Sequence, residues 1–102
     1  MVYDLTALVP RVIISIVIDM MKAIAEENRL QIVKLLSKGS LCVCEIEAKL
    51  KIPQNLVSHH LAVLKKVGLI ENCRCGKNNY YSLNKKALNK ITKLLIKLGE
   101  EK

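Results

Sequence analysis

Four cysteines, arranged as two Cys-x-Cys pairs, are the residues of this sequence best suited to chemistry. A regular helix would place the sulfurs of Cys42 and Cys44 about 200° apart around its axis, where they could not share an ion. In an extended segment residues i and i+2 share a face, and at a strand-to-helix junction both sulfurs converge. The start of a helix also favours the thiolate over the thiol. Because thiolates select soft ions, this pair is a candidate metal or metalloid site, with buried structural thiols and a redox switch as the alternatives.

Cys73 and Cys75 form the second pair, in a segment whose pattern predicts the first strand of a hairpin. The two-residue period of a strand puts both side chains on one face. Three interpretations stay open: a site shared with Cys42 and Cys44, within one chain or across a dimer; a separate metal or redox pair; and no ligand role. The far end of the hairpin is expected to lie well away from Cys42, which argues against a four-cysteine cluster within one subunit.

Polar side chains follow Pro53 at the start of a predicted helix. Gln and Asn side chains can pair bidentately with adenine, Ser can reach a base or a phosphate, and the free N–H groups of a helix N-terminus bind phosphate. Basic residues follow on the same helix and on the hairpin, where a wing would meet the DNA backbone or the minor groove. The predicted DNA-contacting residues are Gln54, Asn55, Ser58, His59, Lys65, Arg74 and Lys77, and Lys66 adds positive charge beside Lys65.

The composition favours a nucleic-acid partner over a membrane or an enzymatic role. The 102 residues carry a formal net charge of +8, and a basic surface suits a polyanion. The apolar run Val12–Ile18 is too short to cross a membrane, which takes about 20 apolar residues. Without a visible secretory signal, we expect a cytoplasmic protein with reduced cysteines and no membrane partner. No carboxylate pair, nucleophile–base pair or phosphate loop stands out, which argues against an enzyme.

Periodicity and turn residues predict the elements that position these side chains. Pro10 either kinks the first helix or sets its start, Gly39 ends the second helix, and Gly68 caps the helix that follows Pro53. The predicted helices are Leu5–Met21, Glu27–Lys38, Cys44–Leu50, Gln54–Val67 and Lys85–Leu98, and the extended segments are Ser40–Val43, Leu69–Cys75 and Tyr80–Leu83, with a turn over 76–79. The predicted apolar stripe of the last helix consists of Leu88, Ile91, Leu95 and Leu98.

This order of elements predicts one mainly α domain with a small β-hairpin, a winged helix-turn-helix. Residues 42–67 would form the helix-turn-helix and residues 69–83 the wing. The first helix is apolar over too wide an arc for a surface helix, so a partner must cover it. We therefore expect an oligomer, whose interface adds to the modest core of so small a domain.

Five short motifs occur in a specific order. They are Asn28-Arg29-Leu30, Leu41-Cys42-Val43-Cys44-Glu45-Ile46, Val57-Ser58-His59-His60-Leu61, Gly68-Leu69-Ile70 and Tyr80-Tyr81. Over about residues 20–84 the chain thereby resembles the ArsR–SmtB family of metal-responsive repressors. The resemblance implies a homodimer with segments 1–22 and 85–102 at the seam, an inverted-repeat operator in double-stranded DNA, and release by an inducer. His60 matches the family's usual histidine and would pack or orient neighbours, whereas His59 falls at a variable position and is the better candidate for contacting DNA.

By the same resemblance, Cys42 and Cys44 would bind arsenite, antimonite, cadmium, lead or zinc, and binding would release the repressor from DNA. Relatives that sense arsenite often carry a third cysteine where this chain has Glu47. Relatives that sense cadmium or lead use N-terminal cysteines, and residues 1–41 contain none. The zinc site of the last helix is predicted absent, since residues 85–102 contain neither His nor Asp. The alternative functions are a thiol-redox repressor that uses the same cysteines, a structural-zinc DNA-binding protein, and a metal buffer that binds DNA without sequence specificity.

Overall fold

The computed structural model describes residues 10–100, which form five helices and a three-stranded antiparallel sheet. The helices are α1 (Arg11–Ile24), α2 (Glu27–Leu36), α3 (Val43–Leu50), α4 (Gln54–Lys66) and α5 (Lys85–Glu100), and the strands are β1 (Leu41–Cys42), β2 (Ile70–Cys75) and β3 (Asn78–Leu83). This order confirms the predicted winged helix-turn-helix, with α3 and α4 as the helix pair and the β2–β3 hairpin as the wing.

Proline and glycine set the helix boundaries much as the sequence predicts. Pro10 is the N-cap residue of α1, so it sets the start of that helix rather than kinking it; predicted residues 5–9 lie outside the described residues. Pro53 precedes α4, and its carbonyl accepts the N–H of Val57 at 3.1 Å. Gly68 has a φ of 81° after α4, the left-handed conformation that a glycine adopts at a helix C-terminus without steric cost.

The predicted extended segment 40–43 contains a short strand, β1, whose pairing partner the sequence pattern does not reveal. β1 pairs with β3, which brings Leu41 opposite Tyr81 and Cys42 opposite Tyr80, so the strand order is β1-β3-β2. The hairpin turn is also shorter than predicted, because β2 and β3 pair as far as Cys75 and Asn78. Only Gly76 and Lys77 remain in the turn, and Gly76 supplies the positive φ of 63° that a two-residue turn requires.

The core is aliphatic, as the low aromatic content predicts, and every helix contributes to it. From α4 it takes Val57, Leu61 and Leu64, the three residues that the helical spacing assigns to the buried face. Asn84 joins the wing to α5, since its side chain accepts the N–H of Ala87 at 3.2 Å and donates to a backbone carbonyl beside α4 at 3.1 Å. Within residues 10–100, no helix combines the length and the apolar character that a bilayer crossing needs.

The residues of the predicted apolar stripe of α5 are divided between the protomer's core and its surface. The structure buries Ala87, Ile91 and Leu94 against the core, whereas Leu95 is 53% exposed and Leu98 is 40% exposed. The helix carries apolar residues on two adjacent stripes, and periodicity alone does not show which of them meets the protomer's own core. Of the four predicted residues, Ile91 is buried and Leu88 is partly buried against the core, so the predicted stripe lies along the edge of the core-facing side.

Candidate metal site and nucleic-acid interface

Cys42 and Cys44 lie where β1 runs into α3, at the kind of junction that brings alternate sulfurs together. Cys42 is the N-cap residue, with extended backbone angles (φ −89°, ψ 168°), and Cys44 lies in the first turn of the helix, which begins one residue earlier than predicted. The two Sγ atoms are 2.9 Å apart. Cys42 is buried and Cys44 is exposed. The pair thus has one sulfur held by the protein and one that faces solvent, so an incoming ion can reach both.

A capping box holds Cys42 in place. Its backbone N–H donates to Oε1 of Glu45 at 3.0 Å, and its side chain faces the backbone N–H of Glu45 in return. The neighbouring sulfur of Cys44 raises the pKa of the Cys42 thiol, against the opposing effect of the Glu45 backbone N–H. The hydrogen bond from Cys42 lowers the pKa of the Glu45 carboxyl group. The start of α3 therefore does favour the Cys42 thiolate, as expected, but the adjacent sulfur outweighs it, and an ion must displace a proton to bind.

Glu47 lies one helical turn after Cys44, at the position where arsenite-sensing relatives are expected to carry a third cysteine. Cys44 and Glu47 line the same shallow depression, between α3 and the turn that leads into α4. Lys51 ends α3 with a left-handed φ of 56° and closes this depression. Among residues 10–100, no group of three or more Cys, His, Asp or Glu side chains is close enough to hold one ion. The described junction is therefore a site with two thiol donors.

The second cysteine pair is nearer to this junction than the sequence suggests. Cys42 and Cys73 both pair with Tyr80, from opposite sides of β3. Their Cα atoms are therefore two strand spacings, about 10 Å, apart on one face of the sheet, with Tyr80 between them. The expectation that the hairpin's far end lies well away from Cys42 applies better to Cys75, which pairs with Asn78 at the tip. Sequence reasoning missed this proximity because the β1–β3 pairing joins residues almost forty positions apart.

The predicted DNA-contacting residues of α4 all lie on its exposed side. The helical repeat of 3.6 residues places Asn55, His59 and Lys66 on one stripe opposite the buried residues. The stripe beside it consists of Gln54, Ser58 and Lys65. No side chain caps the start of α4. The N–H of Leu56 already bonds to the carbonyl of Pro53 at 3.0 Å, which leaves the N–H groups of the first two residues of the helix for a phosphate. The helix thus offers two polar stripes and an N-terminal anion site to a DNA groove.

His60 points away from this surface and is 8% exposed. Its Nδ1 lies 3.2 Å from Nη1 of Arg29 and 3.7 Å from Oε2 of Glu26. Because a guanidinium group only donates hydrogen bonds, Nδ1 is the acceptor in the contact with Arg29. Arg29 also donates from Nε to the carbonyl of Ala23. His60 therefore ties α4 to the start of α2, in a supporting position, and sequence spacing alone could not reveal these partners.

Arg74 and Lys77 are exposed near the tip of the wing. Arg74 pairs with Asn79 across the hairpin, and Asn79 accepts a hydrogen bond from the Nδ2 of Asn72 at 3.0 Å. Lys77 is the second residue of the two-residue turn. The wing thus carries its two cations beyond the core, where they can approach a phosphate backbone.

Comparison with known proteins identifies the family. Residues 26–72 match the family described as bacterial regulatory protein, arsR family. An uncharacterized HTH-type transcriptional regulator of Methanocaldococcus jannaschii is 41% identical over 81 residues, which are 78% of this chain and 91% of that protein. The chain belongs to the arsR family. The arsenical resistance operon repressor of Escherichia coli is 43% identical over 68 residues, 66% of this chain and 58% of the repressor.

Solved structures place the ArsR-family chain among winged-helix regulators. The homodimeric winged helix-turn-helix DNA-binding domain of a Mycobacterium bovis protein superposes with a TM-score of 0.73 at 27% identity, over 97% of this chain and 89% of that domain. A structure of reduced HlyU from Vibrio cholerae superposes with a TM-score of 0.69 at 31% identity, over 85% of this chain and 92% of that one. The chain is accordingly a DNA-binding transcriptional regulator of the ArsR/SmtB type, and the relatives and structures it matches are regulators rather than enzymes.

Proposed function

We propose that this repressor binds an inverted-repeat operator as a homodimer and leaves it when a soft metal or metalloid ion binds the thiolates of Cys42 and Cys44. The observation that carries the proposal is the 2.9 Å separation of the two Sγ atoms, at the start of the helix-turn-helix. Two relatives support an ion as the signal, since they are described as an arsenical resistance operon repressor and a cadmium resistance regulatory protein.

The sulfur pair needs little rearrangement to bind an ion. Thiolates that share a tetrahedral zinc ion at about 2.3 Å are about 3.8 Å apart, so the sulfurs must separate by about 1 Å. Cys44 is exposed and can rotate, while Cys42 stays fixed by the capping box. A divalent cation forms two metal–sulfur bonds and releases two protons. Arsenous acid forms two As–S bonds, retains one hydroxyl group and releases two water molecules.

The position of Cys42 supports a link between ion binding and DNA binding. The residue belongs to β1 and also caps α3, so a shift at its sulfur acts on two elements. Through α3 it reaches α4, which carries the groove-facing residues, and through Tyr80 it reaches the wing. A coupling free energy of about 1–3 kcal/mol, typical of allosteric proteins, would weaken operator binding about 5- to 150-fold.

The exposed apolar residues of α1 and α5 support the proposed homodimer. Met21 on α1 and Leu88 on α5 are partly buried against the core, and the apolar surface continues outward from them through Ile14 and Ile18 on α1 and through Leu95 on α5. A symmetric pairing through these two helices would cover this apolar surface. It would also hold the two α4 helices for successive major grooves, about 34 Å apart along the DNA.

Operator release by ions tests the proposal. Fluorescence anisotropy would follow a labelled operator duplex with reduced protein, while arsenite, cadmium, lead or zinc is added. We expect release with the natural chain and with the Cys73→Ser/Cys75→Ser control, and no release with Cys42→Ser/Cys44→Ser. Equal release by all three proteins would exclude the site. Ion binding that leaves operator affinity unchanged would indicate a structural-zinc protein instead.

The same 2.9 Å contact supports one rival, a thiol-redox switch at Cys42 and Cys44. Peroxide would oxidise the two thiols to a disulfide while it is itself reduced to water, and a structure of a relative is described as its reduced form. A chelator separates the two functions. Release by peroxide in the presence of chelator favours the redox switch, whereas release by an ion in the presence of a phosphine reductant favours the metal site.

A further inference from the structure

The outer face of the wing carries two thiols that the proposed function does not use. Cys73 and Cys75 occupy alternate positions of β2, and both are exposed and outside any disulfide. Their partners across the hairpin are Tyr80 and Asn78, so these four side chains share one face of the sheet. Arg74, between the cysteines, points to the other face. The strand therefore presents a dithiol to solvent at the end of the wing.

The regular strand fixes the distance between the Cα atoms of this pair. A continuous strand rises about 3.3 Å per residue, which puts the Cα atoms of Cys73 and Cys75 about 6.6 Å apart. A disulfide needs Cβ atoms about 3.5–4.5 Å apart, closer than parallel side chains on a regular strand come. A tetrahedral ion draws its thiolates to within about 3.8 Å. A linear sulfur–metal–sulfur arrangement keeps the sulfurs furthest apart and suits this spacing best.

The number of metal-ligating side chains at this pair also favours a linear, two-coordinate ion. Within residues 10–100, no third Cys, His, Asp or Glu side chain is placed to complete an ion site with another two. The cross-strand neighbours bond to each other, since Asn78 donates to the hydroxyl of Tyr80 at 3.5 Å. Zinc takes four ligands in structural sites and three protein ligands in catalytic ones. Cu(I) is a soft ion selected by thiolates, and two of them satisfy a linear coordination shell.

We propose that Cys73 and Cys75 bind one Cu(I) ion between them, as a second site that does not depend on Cys42 and Cys44. Two Cu–S bonds form, two S–H bonds break and two protons leave, with no change in oxidation state. The resulting complex carries one negative charge, close to the turn that holds Lys77. That charge opposes the attraction of the wing to DNA phosphates.

The test uses the full chain, reduced and under anaerobic conditions, with Cu(I) alone as the probe. A chromophoric Cu(I) chelator competes for the ion, and its absorbance reports how many ions each chain retains. We expect Cys42→Ser/Cys44→Ser to retain one Cu(I) per chain in an excess of Zn²⁺. We expect Cys73→Ser/Cys75→Ser to bind one ion fewer than the natural chain. Because the first variant lacks the junction thiols, its result is independent of the proposed ion-release function.

A matched control keeps two thiols in the wing but places them on opposite faces of β2. In the Cys42→Ser/Cys44→Ser background, Arg74→Cys with Cys75→Ser puts two adjacent thiols on opposite faces of β2, and we expect Cu(I) retention to be lost. Retention by this control, or no retention by its parent, would overturn the proposal.

Sedimentation at several protein concentrations supplies a further check. Uptake of Cu(I) that occurs only as dimers associate would place the ion between chains and would also overturn it.

Discussion

Leu95 and Ile96 offer a sharp test of where the dimer seam lies. The two neighbours are 53% and 54% exposed in one protomer, yet they project about 100° apart around α5. Leu95 continues the stripe of Leu88, whereas Ile96 points away from both that stripe and the core. We predict that Leu95→Ala weakens dimerisation strongly and that Ile96→Ala, matched in exposure and in size, does not.

The expected magnitude follows from the exposed fraction. Complete burial of a leucine side chain contributes about 1.5–3 kcal/mol, and about half of that remains to be gained when an interface covers Leu95. A symmetric dimer buries two copies, so the loss is about 1.5–3 kcal/mol per dimer. At 1.4 kcal/mol per factor of ten, the dimer dissociation constant should rise about 10- to 100-fold.

Sedimentation equilibrium measures that constant directly, and urea unfolding at high protein concentration checks that each variant folds. As the protein is diluted, Leu95→Ala should lose operator binding at a higher protein concentration than the natural chain does. An unchanged dimer constant for Leu95→Ala would refute the assignment of this stripe to the seam. So would an equal loss for Ile96→Ala, since the effect would then not depend on the face of α5.

Three further predictions concern DNA, pH and the ion site. Lys66→Ala should weaken binding to all DNA sequences alike and lower the slope of log K for DNA binding against log salt concentration by about 1. Asn55→Ala should weaken binding by about 1–3 kcal/mol only when one base position of the operator is intact. Anisotropy titrations on operator variants distinguish the two effects. Glu26 caps α2, and its hydrogen bond from the N–H of Arg29 lowers the pKa of its carboxyl group. The carboxylate of Glu26 therefore stabilises the fold above the pKa that it has in the unfolded chain, and this effect is lost as the pH falls through its lower pKa in the folded chain. The midpoints of urea unfolding for Glu26→Gln and the natural chain should accordingly differ at pH 7 and converge in acid. Glu47→Cys adds a thiol one turn after Cys44 and should raise the affinity for arsenite in a thiolate-absorption titration, whereas unchanged affinity would mean that this position does not face the bound ion.

Local signals in the sequence were sufficient for the helix-turn-helix. Pro53 ends one segment, the spacing of Val57, Leu61 and Leu64 defines the buried face of α4, and Gly68 permits the left-handed turn after it. Each of these signals acts over a few residues, so it can be read without knowing what the helix packs against. The exposed residues of α4, which are the candidates for contacting DNA, follow from the same periodicity, because they lie on the side of the helix opposite the buried stripe.

The Cys42/Cys44 junction shows where such reasoning stops. The predicted extended segment 40–43, followed by a helix, indicated a strand-to-helix transition, and the spacing i, i+2 predicted that both sulfurs would converge there. It did not predict that the sulfur of Cys44 raises the pKa of the Cys42 thiol, because the helix start favours the opposite shift. The balance between two opposing electrostatic effects depends on a distance, and only coordinates supply it.

The sequence by itself determined the order of elements, the buried face of α4 and the two candidate thiol pairs, since these depend on residue type and short-range spacing. Only the tertiary structure decided which distant segments meet. The pairing of β1 with β3 sets Cys42 and Cys73 on either side of Tyr80, and the packing of α4 on α2 turns His60 inward to Arg29. Both contacts join segments separated by some thirty residues or more, and they form because burial of the shared core fixes the relative positions of those segments.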